Sequence, residues 1–273
     1  MTRLTLIVAL STFMVAHGAS SVSGGSHHVS LRARHAGRGF VKSLQFKHRL
    51  RVCNAYPYSG ALDIYRGSEQ LTKEPMPYKS CEDFFSQLIP GDKLKFKVGD
   101  ANAGTFTISD LPNNDAVLLL VIHRHDTLST AVSFQSHVFA NLLNAQIAVI
   151  DTYKGEKRAR AEIQDMNQGA AGYREEQLRY NSVVAVNPGK YNVLLIGADK
   201  NEVKSDLVAL NRESYVVLRT GVESQQGPKY DEELVVYPKS DPALLNSAAR
   251  PIASLSAATL LLLVLATFAV FQL

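Results

Sequence analysis

Alternation of apolar and polar residues in short segments dominates the middle of this 273-residue chain. The segment KLKFKV places Leu94, Phe96 and Val98 on one face of a strand and three lysines on the other. Gly, Pro, Asn or Asp separate most such segments, which is typical of antiparallel β-sandwiches. The other predicted strands are ALDIYR, AVLLLVI, IAVI, YNVLLI, SYVVLR and ELVVYP. The chain is therefore predicted to be all-β, and only Gly172 to Asn181, GYREEQLRYN, favours a helix.

An internal repeat divides these strands into two sets. FFSQLIPGDKLKFKV aligns with SVVAVNPGKYNVLLI on Pro90-Gly91 and Pro188-Gly189, an offset of 98 residues. The same offset places AVLLLVIH on SYVVLRTG and QSHVFA on ELVVYP, and an offset of 97 places RVCNAY on AVIDTY. Chance similarity between short β-segments is the alternative explanation. The repeat predicts two tandem immunoglobulin-like β-sandwich domains, residues 46–142 and 143–240.

The N-terminus predicts export from the cytoplasm. One Arg precedes an apolar run from Leu4 to Val15, and small residues around Gly18 follow it. This order is typical of a cleaved secretory signal peptide, which we assign to residues 1–19. The alternative is an N-terminal anchor helix, for which the run is short.

The C-terminus, residues 241–273, predicts a linker and a membrane attachment signal. An apolar run from Ala257 to Phe271 follows the small triplet Asn246-Ser247-Ala248 and a spacer of eight residues. That order matches a glycolipid (GPI) signal, with attachment at Asn246 or Ser247 and removal of the tail. The alternative is a retained membrane anchor, although no basic residue follows the run. Either way, we expect the protein at the extracellular face of a membrane or, in a bacterium, in the periplasm.

Two cysteines, Cys53 and Cys81, are the whole cysteine content of the chain. An exported protein meets oxidising conditions, so an even number of cysteines favours a disulfide. Two buried thiols are the alternative. A disulfide between them would lie inside the first predicted domain.

Positive charge is concentrated before the first domain. The chain has no acidic residue before Asp63, and residues 20–45 are predicted to be a flexible basic arm. Three interpretations remain open: a solvated linker, a site for an anionic polymer such as a uronic-acid polysaccharide, or a proteolytic processing segment. Nucleic acid is not expected as a partner outside the cell. The candidate polyanion-binding residues are Arg32, Arg34, Arg38, Lys42, Lys47, Arg49 and Arg51.

Motifs of catalysis are missing from the sequence, which contains no G-x-S-x-G, no phosphate-binding loop and no G-x-G-x-x-G. We therefore predict no catalytic residues, no enzymatic activity and no cofactor. One weak metal site is a candidate: His123 and His125 fall on one side of a strand in VIHRHD, and Asp126 and His137 follow. Solvated histidines at a strand end are the alternative.

The stretch from Val186 to Ser240, with VNPGKYNVLLIGADKNEVKSDLVALNRESYVVLRTG and ELVVYPKS, resembles the AlgF family of alginate O-acetylation accessory proteins. The region from Leu50 to Val138 resembles it through RVCNAYPYSGALDIY, which is also similar to extracellular β-sandwich repeats of unknown function. The resemblance implies tandem β-sandwiches and a non-enzymatic accessory role in modifying an acidic surface polysaccharide beside a partner acetyltransferase. The alternative function is a surface-anchored structural or adhesive module that binds glycans or other surface proteins.

Overall fold

A computed structural model of the chain describes residues 46–140, 144–166, 174–199 and 201–248. All of them belong to one compact unit, residues 45–273. The first eight strands are β1 (His48–Ala55), β2 (Asp63–Arg66), β3 (Glu69–Gln70), β4 (Cys81–Phe84), β5 (Lys93–Val98), β6 (Ala101–Thr107), β7 (Ala116–Arg124) and β8 (Val132–Ala140). The next eight are β9 (Ala145–Asp151), β10 (Ala159–Asp165), β11 (Arg174–Leu178), β12 (Ser182–Val186), β13 (Gly189–Gly197), β14 (Glu202–Ala209), β15 (Ser214–Val222) and β16 (Tyr230–Tyr237). A short helix, α1 (Ala243–Ala248), follows within the predicted linker.

The two sets of eight strands have the same topology. The first set forms sheets of order β4-β1-β7-β8 and β3-β2-β5-β6, and the second forms β12-β9-β15-β16 and β11-β10-β13-β14. Each set contains one parallel pair, β1 with β7 and β9 with β15, and the paired residues are 68 positions apart in both. The prediction of an all-β sandwich fold is confirmed. The predicted junction at residues 142 and 143 lies outside the described residues.

Each set encloses its own hydrophobic core between its two sheets. In the first, Leu94 and Phe96 of β5 are fully buried against Leu118 and Leu120 of β7. Apolar side chains at every second position of a strand point to one face, so the alternation in KLKFKV decides which side of β5 enters the core. The lysines between them remain on the outer face.

A third hydrophobic cluster joins the two sandwiches. Val117, Leu119 and Val121, which alternate with the core residues of β7, pack in one cluster with Val216 and Leu218 of β15. The strands β7 and β15 are therefore buried along their whole length, with apolar contacts on both faces. This explains why AVLLLVI and SYVVLR are nearly continuous apolar runs instead of alternating ones.

The internal repeat has a structural offset of 97 residues in the β5 region, not the 98 that the Pro-Gly turns indicate. Leu94 and Phe96 lie in the first core, and their counterparts in the second core are Tyr191 and Val193. An offset of 98 would match Leu94 with Asn192 on the opposite face, because a slip of one residue reverses every side chain of a strand. The first core-facing residue follows the glycine of the Pro-Gly turn by three positions in the first sandwich, from Gly91 to Leu94, and by two in the second, from Gly189 to Tyr191.

The expectation of a helix at Gly172 to Asn181 is wrong, because Arg174–Leu178 form strand β11. This strand pairs antiparallel with β10 at the edge of a sheet. Arg, Glu and Gln favour helices only weakly, and hydrogen bonds to a neighbouring strand override that preference. The inward-facing Leu178 enters the second core.

Candidate functional site

The predicted disulfide between Cys53 and Cys81 is confirmed. The two residues are directly paired across β1 and β4, with 4.1 Å between their Cα atoms. Cys53 is fully buried and belongs to the cluster that joins the sandwiches. The bond therefore ties the edge strand β4 to the strand that carries the contact between sandwiches.

The predicted metal site does not come together. Within the described ranges, no group of three His, Cys, Asp or Glu side chains is arranged to hold a metal ion. The carboxylate of Asp126 accepts hydrogen bonds from the backbone N–H groups of Ser129 and Leu128, and the bond from Ser129, followed by that from Leu128, lowers its pKa. His123 is buried, which lowers its pKa, while its Nδ1 lies 2.9 Å from the carbonyl oxygen of Arg124. Asp126 thus shapes the β7–β8 loop instead of completing a set of ligands.

Two of the predicted polyanion-binding residues are paired with carboxylates of the chain itself. Arg32, Arg34, Arg38 and Lys42 lie outside the described residues, and Lys47 is exposed just before β1. The assignment of Arg51 to a polyanion site is wrong, because its side chain is fully buried and paired with Asp83. Arg49 is paired with Asp83 and Glu213 but is 24% exposed, so its assignment stays a prediction.

Arg51 is the centre of a buried ion cluster between the sandwiches. Its side chain has 0% exposure, and its Nε lies 2.7 Å from Oδ1 of Asp83. Its Nη1 donates to the carbonyl oxygen of Ser214, and its Nη2 lies 3.4 Å from Oε1 of Glu213, both in the second sandwich. Burial alone would lower the pKa of Arg51, but the hydrogen bond and charge of Asp83, with Glu213, raise it. The arginine therefore remains charged and holds the sandwiches together.

The predicted attachment residues Asn246 and Ser247 fall within α1. The apolar tail after them lies outside the described residues, as does the signal peptide. Within the ranges that the structure covers, no helix is long and apolar enough to cross a membrane. Attachment at Asn246 or Ser247 stays a prediction.

A cleft opens along one side of the second sandwich. At the opposite side the edge strands β14 and β16 of the two sheets contact each other. The cleft is bordered by the other two edge strands, β11 and β12, and has a volume of about 250 Å³. It is lined by Ile163, Asp165, Arg174, Glu176, Ala185, Val186, Asn187 and Tyr191. We call it the second-sandwich cleft.

Strand register sets the arrangement of polar and apolar groups in the second-sandwich cleft. Asp165 of β10 is paired with Arg174 of β11 on one side and with Tyr191 of β13 on the other, so these three form a row across the sheet. Glu176 and Ile163 are paired in the next row. Arg174 and Glu176 thus lie on the exposed edge strand β11, whereas Asp165 lies in the floor with Ile163 and Tyr191.

Electrostatic pairing balances the charge at the rim of the second-sandwich cleft. The guanidinium group of Arg174 forms an ion pair with the carboxylate of Glu176, and both side chains remain more than half exposed. Tyr191 is nearly buried, and its hydroxyl donates to the carbonyl oxygen of Asn187 at 2.9 Å. Burial first, and then the charge of Asp165, raise the pKa of Tyr191. The cleft therefore offers one cation and two carboxylates, those of Glu176 and Asp165, around the apolar surface of Tyr191 and Ile163.

Sequence reasoning missed this site entirely. Arg174 and Glu176 fall in the segment that favoured a helix, in which residues two apart do not face each other. The signal that could have found them is the alternation of Arg174, Glu176 and Leu178, which share one side of a strand. Asn187 and Tyr191 come from distant segments, and only the packing of the sheets brings them to β11.

Comparison with family models and with curated proteins finds no match for the chain. Among solved structures, it is similar to CBMbc, a family CBM26 module from Eubacterium rectale Amy13K determined in complex with maltoheptaose. The identity is 10% and the TM-score 0.22, over 72% of this chain and 98% of that chain. Similarity at this level does not bear on the ligand of the present protein.

Proposed function

We propose that this protein is a non-enzymatic binding module of the cell surface and that its second-sandwich cleft binds a glycan. The observation that carries the proposal is the pairing of Arg174 with Glu176 at the rim of an open cleft with Tyr191 and Ile163 in its floor. Binding sites for small ligands combine an apolar surface with a few placed polar groups in this way.

The chemistry of the rim favours a ligand rich in hydroxyl groups. A hydroxyl both donates and accepts, so neighbouring hydroxyls of a sugar can bond a carboxylate and a guanidinium group together. Hydrogen bonds to charged groups are stronger than those between neutral groups. A charged ligand would be attracted by one residue of the Arg174–Glu176 ion pair and repelled by the other. The balanced rim, together with the further carboxylate of Asp165, therefore disfavours a polyanion and favours neutral saccharides.

Replacing both rim residues in the double variant Arg174→Ala/Glu176→Ala is expected to lower glycan affinity at least about tenfold. Each lost hydrogen bond to a charged group is worth about 1.5–3 kcal/mol, and 1.4 kcal/mol corresponds to a factor of about ten. Isothermal titration with neutral gluco-oligosaccharides and with an oligomannuronate measures the change.

The matched control is the double variant Arg160→Ala/Glu162→Ala. Arg160 and Glu162 form an ion pair with the same spacing on β10, but they alternate with Ile163 and so lie on the opposite face of the sheet. Affinity should be unchanged in this control. Equal loss in both variants, or no binding of any saccharide by the unaltered protein, would contradict the proposal.

Modification of an acidic polysaccharide stays a narrower proposal, supported by the resemblance to AlgF. It requires a partner acetyltransferase and affinity for a uronate polymer. Preference for the oligomannuronate over neutral saccharides, together with recovery of an acetyltransferase in a pull-down, would favour this role over that of a general surface module.

Surface attachment is predicted to depend on small residues at Asn246 and Ser247. Changing both to Trp should block processing and retain the precursor inside the cell, because the attachment site accepts only small side chains. Phosphatidylinositol-specific phospholipase C should release the unaltered protein from intact cells. Leu244→Trp, also in α1 but outside the triplet, is the control and should be processed normally. Recovery of peptides from Leu260 to Leu273 in the mature protein would instead identify a retained membrane anchor.

A further inference from the structure

We propose that the first sandwich contains a second saccharide site, in which the exposed ring of Phe85 stacks against the apolar face of a neutral sugar. The inference takes its ligand class from the proposed function, but it rests on different residues. The site is an open cleft of about 470 Å³ between the β2–β3 hairpin and the segment that leads to β5. We call it the first-sandwich cleft.

Topology places this cleft at the same position as the second-sandwich cleft. One wall is Arg66 of β2 and Glu69 of β3, the strands that correspond to β10 and β11. The other wall is Gln87 and Ile89, in the connection from β4 to β5, which corresponds to the connection from β12 to β13. Both clefts thus arise where the edges of two packed sheets diverge, and the duplicated fold provides one in each sandwich.

The segment from Phe84 to Ile89 presents an apolar surface beside this cleft. Its residues alternate: Phe84 and Leu88 are buried in the first core, whereas Phe85, Gln87 and Ile89 are exposed. Gln87 and Ile89 line the cleft, and the exposed Phe85, two residues before Gln87, precedes them in the same alternation. Phe85 is 84% exposed and Ile89 57% exposed. A phenylalanine this exposed contributes little to the stability of the fold.

Balanced charges line the first-sandwich cleft, next to the segment that carries Phe85. The guanidinium group of Arg66 lies 2.6 Å from the carboxylate of Glu69 and also donates to the carbonyl oxygen of Gln87. Asp92 accepts a hydrogen bond of 3.0 Å from the backbone N–H of Ile89, and Lys93 is exposed next to it. Two cations and two anions therefore line one cleft.

An exposed aromatic ring beside a cleft of balanced charge favours some classes of ligand over others. A polyanion would meet the carboxylates of Glu69 and Asp92 as well as the two cations. An apolar peptide would cover Phe85 but would remove water from the ion pairs without replacing their hydrogen bonds, which is costly. A neutral sugar avoids both problems. Its hydroxyl groups form hydrogen bonds with the charged side chains, and its C–H face contacts the electron-rich face of the Phe85 ring. The chemistry therefore points to a neutral saccharide.

Phe85→Trp gives a direct readout, because the chain contains no tryptophan. Titration of the full chain with neutral hexaoses of glucose, mannose or galactose should produce a saturable shift in the emission of the introduced indole, and a hexauronate should not. By calorimetry, Phe85→Ala should weaken binding of the same hexaose at this site by about tenfold. Leu128→Ala, another exposed apolar residue at 60%, in the β7–β8 loop, should leave it unchanged.

The variant Phe85→Leu distinguishes stacking of a sugar on the aromatic ring from a general apolar contact, such as one with another protein. It keeps apolar area but loses the aromatic face, so it should behave like Phe85→Ala. Binding like that of the unaltered protein, or an emission that responds to none of the hexaoses, would overturn the inference. Adding Arg174→Ala/Glu176→Ala to Phe85→Trp should leave the emission shift intact. If binding were lost only when Arg174 and Glu176 are replaced, the site in the first sandwich would be refuted and the second-sandwich cleft supported. If binding were lost only when Phe85 is replaced, the site in the first sandwich would be supported and the second-sandwich cleft refuted.

Discussion

Replacement of Arg51 by methionine is expected to lower the free energy of unfolding by about 3 kcal/mol, the lower end of the cost of breaking a buried ion pair, because Arg49 still partly compensates Asp83 and Glu213. Methionine retains most of the volume but none of the donors. Asp83 loses its closest partner at 2.7 Å, and the carbonyl oxygen of Ser214 loses its donor. Urea denaturation followed by circular dichroism measures the change.

Arg49→Met is the matched control for this prediction. Arg49 pairs with the same two carboxylates, at 3.3 Å from Asp83 and 2.9 Å from Glu213, but its side chain is 24% exposed. Partly solvated ion pairs are worth about 1 kcal/mol or less, so this variant should be only slightly destabilised. If Arg51→Met cost no more than Arg49→Met, the buried cluster would not be what stabilises the contact between the sandwiches.

Removal of the disulfide in Cys53→Ala/Cys81→Ala is expected to cost about 3–4 kcal/mol, because the bond restricts a loop of the unfolded chain. The sequence separation of 28 residues sets this estimate. The loss should reach both sandwiches, since Cys53 packs in the cluster that joins them. Thermal and urea denaturation of the variant and the unaltered protein measure it.

Reduction of the unaltered protein provides the control for the disulfide prediction. With dithiothreitol present, its unfolding midpoint should fall to nearly that of the double alanine variant, and the variant itself should not respond. An unaltered protein whose stability does not change on reduction would show that the constraint is not the source of the stability.

The cleft residues show why a site is harder to predict than a strand. A strand is a local feature, and the period-two pattern of Leu94 and Phe96 is readable within six residues. A cleft combines segments that are remote in the chain: Arg174 meets Tyr191 only through the pairing of β10 with both neighbours. Phe85 likewise appears in the sequence as one half of an apolar Phe-Phe pair. Only the alternation along an edge segment reveals that Phe84 is in the core and Phe85 is in solvent.

By itself, the sequence determined the all-β sandwich class, the positions of most strands and the pairing of Cys53 with Cys81, because each depends on local alternation or on having only two cysteines. Tertiary structure alone decided the environment of Arg51, which sequence reasoning assigned to a basic surface and which the second sandwich buries. It also made a strand of Arg174–Leu178 and used Asp126 to shape a loop. The physical reason is common to all three: charge and propensity are properties of a residue, whereas burial and hydrogen-bond partners are provided by segments far away in the chain.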